Sequence, residues 1–415
     1  MFNYYSINGK LLFSRNKYQD LINISEDDAF KLKGIVYYLH NLPPIHSRRS
    51  FCISDPSLFY LEKEGLDLLQ KKATPTRTSI PEWLIHKIKC REIMAVNTAY
   101  PFWLDVLDIN LPPKWRIHLV GTGDVGGILA AGLRLLGGGH ISMIGLYGKD
   151  DKSTKRWEYE INQILPAFSE ATLPNVTIIQ EEELFNCDLF IFCASVGVPP
   201  VGEESKDVRA AQLEGNSKII SSYAVMARKS KFKGIFAVVS DPVDLLCKAA
   251  FLASNKDQYG AYDFLGLAPE QIRGYGLGVM HARAVYYSQQ SEDTKHYIRE
   301  GRAYGPHGEG LIIADSINNY NDCLSEYLTD AARRANLDVR ATGYKPYIAP
   351  ALSSGTLSIL ATIKGDWHYS ATFIGGVFMG AKNRLTETGT EIEQLDLSDR
   401  LMERLNKTYS ELGNY

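Results

Sequence analysis

The chain has 415 residues, enough for two or three domains with cores of their own, and its 45% hydrophobic and 22% charged residues exclude general disorder, a fibrous repeat and a disulfide-stapled mini-protein. Its 45 Lys+Arg against 48 Asp+Glu leave a net charge of −3, which supplies no bulk attraction for nucleic acid or an anionic membrane surface. A small molecule is the expected partner.

Residues 1–112 are rich in tyrosine and charge. They offer a strand over 34–39, a turn at Pro43-Pro44 and a helix over 58–71, and they read as an extra N-terminal domain whose function the sequence does not give. At Leu111-Pro112-Pro113 the composition changes. Short apolar runs then alternate with helix-length segments: RIHLV (116–120), ISMIGL (141–146), VTII (176–179), DLFIFCA (188–194), KIISSYA (218–224) and GIFAVVS (234–240). Continuous apolar strands separated by helices predict an α/β domain over 113–260, a doubly wound parallel sheet of the Rossmann kind. From 261 to 415 the pattern is mixed, with helices expected over 320–335, 357–364 and 398–412 and strands over 370–392, so an α+β substrate domain follows.

Six cysteines, Cys52, Cys90, Cys187, Cys193, Cys247 and Cys323, form no CxxC pair and are expected as buried, reduced thiols. His40, His46, His86 and His118 show no ligand spacing, so no metal site is expected. With no apolar stretch approaching ~18 residues, the expectation is a soluble, cytoplasmic protein that spans no membrane.

The strongest local signal follows the first strand of the α/β series. Gly121-Thr122-Gly123-Asp124-Val125-Gly126 sets GxGxxG between a strand and a helix, where the first glycine permits the tight turn, the second lets a pyrophosphate approach the backbone, and the third brings helix and strand together.

From Lys114 onward the chain resembles the lactate/malate dehydrogenases. The motifs occur in that family's order: GTGDVGG, DLFIFCASVGVP, VRAAQLEGN, VVSDPVDLL, GYGLGVMHAR, GPHGEG, YIAPA, and a FIGGVFMGAKN ending with a C-terminal helix. The resemblance implies an NAD- or NADP-dependent dehydrogenase, a homo-oligomer (dimer or tetramer), acting on a small 2-hydroxy or 2-oxo acid or a related carbonyl compound. It maps the proton-transferring histidine to His307, the substrate-carboxylate arginine to Arg283, and the mobile-loop arginine that polarises the carbonyl to Arg209, seven residues before Asn216. Ala194 and Gly197 join the glycine turn in the implied cofactor-binding set.

Three departures stand beside these matches. Met280 occupies the place of the aspartate that orients the family's histidine; Asp241, in Ser240-Asp241-Pro242, replaces a substrate-contacting asparagine; and no acidic residue follows the second strand, in Gly145–Gly148, to hold the adenosine ribose. Asp241 is the carboxylate expected to take over His307, or else to cap the helix after Pro242. These substitutions leave two further readings: a catalytically lapsed relative that binds a nucleotide or metabolite, and a reductase of an imine or amine-bearing substrate.

Overall fold

The computed structural model describes residues 2–72, 80–167, 173–196 and 206–415, except for the side chains of 206–211. In the first sheet, β1 (Asn3–Ile7), β2 (Lys10–Ser14), β3 (Asn23–Ile24), β4 (Val36–His40), β5 (Ser50–Cys52) and β6 (Ile93–Asn97) lie in the order β3-β1-β2-β4-β6-β5. Both faces are apolar because side chains alternate across each strand: Leu11, Tyr38 and Ile93 face one core, and Leu12, Tyr37 and Met94 the other. The expected helix over 58–71 is instead two 3-10 turns, Pro56–Tyr60 and Leu66–Leu69, separated by Gly65 in an extended conformation that no helix can pass through.

The second sheet begins with β7 (Trp115–Val120), β8 (Ile141–Tyr147), β9 (Asn175–Ile178), β10 (Leu189–Phe192), β11 (Ile235–Val238) and β12 (Ile272–Gly274). These six run parallel in the order β9-β8-β7-β10-β11-β12, so the chain reverses its winding direction between β7 and β10. That is the strand order of a doubly wound dinucleotide-binding sheet, with its crevice at the carboxyl ends of β7 and β10. The run 218–224, expected as a strand, lies inside the helix Lys206–Lys229. Its buried residues Ile220, Tyr223, Ala224 and Ala227 recur at helical spacing, which outweighs the β-branched pair Ile219-Ile220.

A short hairpin, β13 (Arg302–Tyr304) and β14 (Ile312–Ala314), follows. The expected strand-rich stretch is β15 (His368–Ile374), β16 (Val377–Thr386) and β17 (Gly389–Ile392). It continues the parallel sheet antiparallel beyond β12, through Gly274 opposite Ala371. Helices Asp322–Ala341, Ser358–Lys364 and Asp399–Gly413 match the expected three, the second entered through a π-helical segment, Pro350–Leu357.

One hydrophobic core joins the two ends of the chain. Tyr4, Phe13 and Leu69 share a cluster with Tyr304 and Ile312 of the hairpin, Met379 of β16 and Leu401 and Leu405 of the last helix. All six cysteines are free, but only Cys52 and Cys247 are buried; Cys187 and Cys193 are half-buried and Cys90 and Cys323 exposed.

Candidate functional site

The glycine turn is shaped by what each position excludes. Gly121 has φ +98, and a Cβ there would stand 2.6 Å from the backbone nitrogen of Ala194 on the neighbouring strand end. A Cβ at Gly126 would stand 2.0 Å from the carbonyl oxygen of Gly121, so this glycine lets the helix Asp124–Leu136 close on its strand. Gly123 differs: nothing lies within 4 Å of its missing Cβ, and its backbone is extended. Open space therefore faces the turn where a pyrophosphate would approach, in front of the free amides of a helix N-terminus.

Thr122 turns away from that space. Its hydroxyl lies 3.0 Å from that of Thr154, and its carbonyl accepts from Ser153 Oγ at 3.2 Å and Trp157 Nε1 at 3.0 Å. The Ala194 carbonyl accepts from Ser240 Oγ at 2.8 Å. Buried Asn216 accepts from the Val196 amide and donates to the Asp241 carbonyl, each at 2.8 Å. The segments after β10 and β11 are thus pinned together beside the glycine turn.

The turn opens into a cavity of 1210 Å³, lined on one side by Gly123–Gly126 (123–126) and on the other by Asp241, Asp244, Met280, Arg283 and His307. His307 sits in the turn between β13 and β14, where Gly305 (φ +87) and Gly310 (φ +82) take left-handed conformations that fold the chain back. The turn is anchored on both sides: the Gly305 amide donates to the Gly380 carbonyl at 2.9 Å, and Thr408 Oγ1 of the last helix donates to the Gly310 carbonyl at 3.0 Å.

His307 Nδ1 meets Asp241 Oδ1 at 2.8 Å. Burial opposes the imidazolium, but the charge and hydrogen bond of Asp241 outweigh it, and the His307 pKa is raised. The cap of the following helix is Pro242, with no side-chain cap hydrogen bond, so Asp241 does not take the capping role. Arg283 approaches Met280 Sδ at 3.4 Å and forms no ion pair among the described residues. Burial draws its pKa down while Asp241 acts in the opposite direction. The cavity therefore collects a cationic fork, a carboxylate-bound imidazole and an open anion cradle.

No protein-family model matches the chain. It is 25% identical over 194 residues to L-lactate dehydrogenase 1 of Staphylococcus aureus (strain MRSA252), covering 47% of this chain and 55% of that protein. It is 26% identical over 241 residues to L-lactate dehydrogenase of Corynebacterium jeikeium (strain K411), covering 56% and 68%. Among solved structures, MGS-M5, a lactate dehydrogenase from a Medee basin deep-sea metagenome library, superposes with a TM-score of 0.59 at 20% identity, over 73% of this chain and 98% of that one. The malate dehydrogenase of Picrophilus torridus gives 0.57 at 17% identity, over 72% and 95%. The resemblance to the lactate/malate dehydrogenases holds in sequence and in fold. The matched segment spans just over half the length of the Staphylococcus relative.

Of the residues singled out from the sequence, His307, Arg283, Asp241, Gly123, Asp124, Val125 and Gly126 line one cavity, while Gly121, Thr122 and Ala194 are outside its lining. Arg209 lies in the helix Lys206–Lys229, its side chain outside the described residues, as is Gly197 altogether. The end of β8 offers Tyr147 and Gly148, and the nearest carboxylate, Asp150, caps the next helix by accepting from the Lys152 amide at 3.0 Å. Sequence reading missed Asp244, Arg333, Asn336 and Arg340, which also line the cavity. The last three recur at i, i+3 and i+7 along Asp322–Ala341, a polar stripe that helical periodicity could have exposed.

Proposed function

We propose that the protein is a nicotinamide-dependent oxidoreductase, using NAD or NADP, that moves a hydride between the cofactor and a small 2-hydroxy or 2-oxo acid or related carbonyl compound. The observation that carries this reading is the His307–Asp241 pair at 2.8 Å, in the same cavity as Arg283 and the open glycine turn. When bound, the nicotinamide supplies or accepts the hydride. His307 gives a proton to the carbonyl oxygen as it is reduced and takes it back in the reverse direction, with Asp241 fixing the ring and stabilising the imidazolium. Arg283 clamps the substrate carboxylate through its planar fork, and Arg209 polarises the reacting carbonyl. The free amides at the start of the helix Asp124–Leu136, beside Gly123, hold the pyrophosphate, since the Gly121 amide is already given to the Tyr147 carbonyl at 3.0 Å, and the family resemblance adds Ala194 and Gly197 to the cofactor-binding set.

The lapsed-enzyme reading rests on Met280 in place of the orienting carboxylate; against it, Asp241 supplies a carboxylate to His307 Nδ1 at 2.8 Å. Asp241 also keeps the imine or amine-bearing substrate in view, since its side chain is 58% exposed and would meet a cation. We read 1–112, 113–260 and 261–415 as the three units of a cytoplasmic homo-oligomer. The test is titration with NADH and NADPH followed by turnover of a panel of 2-oxo acids and their imines. Binding with turnover supports the reading, binding without turnover leaves the lapsed relative, and no binding removes both. With no carboxylate at the ribose position, NADPH should bind at least as well as NADH.

A further inference from the structure

Asp244 is the buried group that the proposed chemistry leaves unused. It lies in the first turn of the helix Val243–Ser254, is 4% exposed, and borders the cavity directly behind the His307 turn. Its Oδ1 has no hydrogen-bond partner among the described residues. A carboxylate so deeply placed with one oxygen unengaged is costly, because nothing replaces the water that oxygen has lost. Burial accordingly pushes its pKa up to about 7, against the pull of its own backbone amide, of the His307 charge and of the His307 backbone amide, while Asp241 adds to the rise.

Asp241 precedes the helix, His307 comes from the β13–β14 turn, Arg283 from the helix Leu277–Ser288 and Glu411 from the last helix, all on the same cavity, whose lining also carries Asp124, Glu309, Arg333, Arg340 and Lys345. Cys247, one turn along, is driven away from ionisation by burial and by Asp244. His307 thus meets two carboxyls of different character: exposed Asp241 bonded to its ring nitrogen, and buried Asp244 facing its backbone amide with one oxygen unengaged.

We propose that Asp244 is a positioning residue for His307: it holds the backbone of the histidine turn and presents a second, titratable charge behind the imidazole, so that Asp241, His307 and Asp244 act as one proton-coupled unit. When Asp244 ionises, it adds to the hold on the imidazolium; when it takes up a proton, Asp241 alone remains. The three groups then titrate together, and the histidine's protonation follows two steps. A helix-start role alone would make no such demand, because asparagine serves a helix N-terminus as well as aspartate does.

This inference rests on the proposed role of His307, yet its test does not need turnover. In the full-length wild-type protein, the His307 imidazole signal is followed by NMR from pH 5 to 9, assigned by loss in a His307→Gln variant. Two inflections are expected, one from the ring and one near pH 7 from Asp244. In Asp244→Asn the second should vanish and the ring pKa should fall, with NADH affinity unchanged. A single inflection in the wild type, or an unaltered His307 titration in Asp244→Asn, overturns the proposal. The wild-type measurement decides the matter even if the variant fails to fold. An enzyme without activity but with the two-step titration would sink the proposed function and leave the coupling standing.

Discussion

His307 and Asp241 make the site's pH dependence calculable in sign. Because the His307 pKa is raised, its imidazolium persists to higher pH than an ordinary histidine's, so carbonyl reduction should fall only as pH rises through that raised value. Asp241→Asn removes the charge that outweighs burial. The falling limb should move to lower pH and the plateau rate should drop, by about tenfold for each ~1.4 kcal/mol of lost imidazolium stabilisation. An unshifted pH–rate profile would leave the 2.8 Å contact without a functional role. The same linkage bears on stability: the contribution of the pair is fully present below the ordinary histidine pKa of roughly 6.5 and is lost as pH rises through the folded value.

Glycine substitutions separate ligand space from folding at the same scale. Gly123 is extended and meets nothing within 4 Å of an added Cβ, so Gly123→Val should fold with at most about 1 kcal/mol lost at the helix cap, yet lose NADH affinity at least tenfold by fluorescence titration. Gly126→Ala, whose Cβ would sit 2.0 Å from the Gly121 carbonyl, should instead lower the melting temperature. Retained affinity in Gly123→Val would displace the cofactor from this turn. Glycines of this kind were legible in the sequence because their chemistry is fixed by the backbone alone. Asp244 was not, since Pro-Val-Asp before an apolar run reads as a helix start, and only the packing of a distant turn gives it a second meaning.

Elements were legible where period and punctuation agreed. β7, β8, β10 and β11 read as apolar runs bounded by glycine or charge, and the helix Asp124–Leu136 was announced by the glycine turn that opens it. The segment 218–224 failed because a β-branched pair inside a long helix imitates a strand, while the wider spacing of Ile220, Tyr223 and Ala227 is helical. The β13–β14 hairpin was invisible, since its strands are three residues each and are held by tertiary contacts. That hairpin carries His307, and the last helix holds it through Thr408 Oγ1 and the Gly310 carbonyl. Thr408→Val keeps the volume but leaves the carbonyl unbonded, at a cost of about 1–3 kcal/mol. Its kcat should fall while NADH affinity is kept, because the anchor touches the histidine turn and not the glycine turn. Equal losses in both would mean that the helix supports the cavity only in general.

At the scale of the whole molecule, the N-terminal sheet is built into the rest of the chain through packing that no local sequence pattern announces. Its core is continuous with β16, the His307 hairpin and the last helix, and its edge is joined to β17 by charge: buried Glu391 receives Arg91 Nη2 at 2.8 Å and Arg384 Nη2 at 2.7 Å. Arg49 reaches across to Glu270 at 3.2 Å, while Arg48 and Glu64 pair at 2.9 Å within the N-terminal region itself, both side chains essentially out of water. A shared core and cross-linked charges of this kind make the first hundred residues part of the framework behind the histidine turn. The expected consequence is one cooperative unfolding transition for the full chain, with near-ultraviolet circular dichroism and tryptophan fluorescence coinciding in urea. Glu391→Gln leaves both arginines without a carboxylate and should lower that single midpoint, by about 1–3 kcal/mol because Arg91 and Arg384 are each about a third exposed or less. It should also reduce activity near the midpoint in step with the fraction folded. Two separated transitions, with the variant shifting only the first, would show instead that the N-terminal sheet folds by itself and that its contact with β17 carries no support to the site.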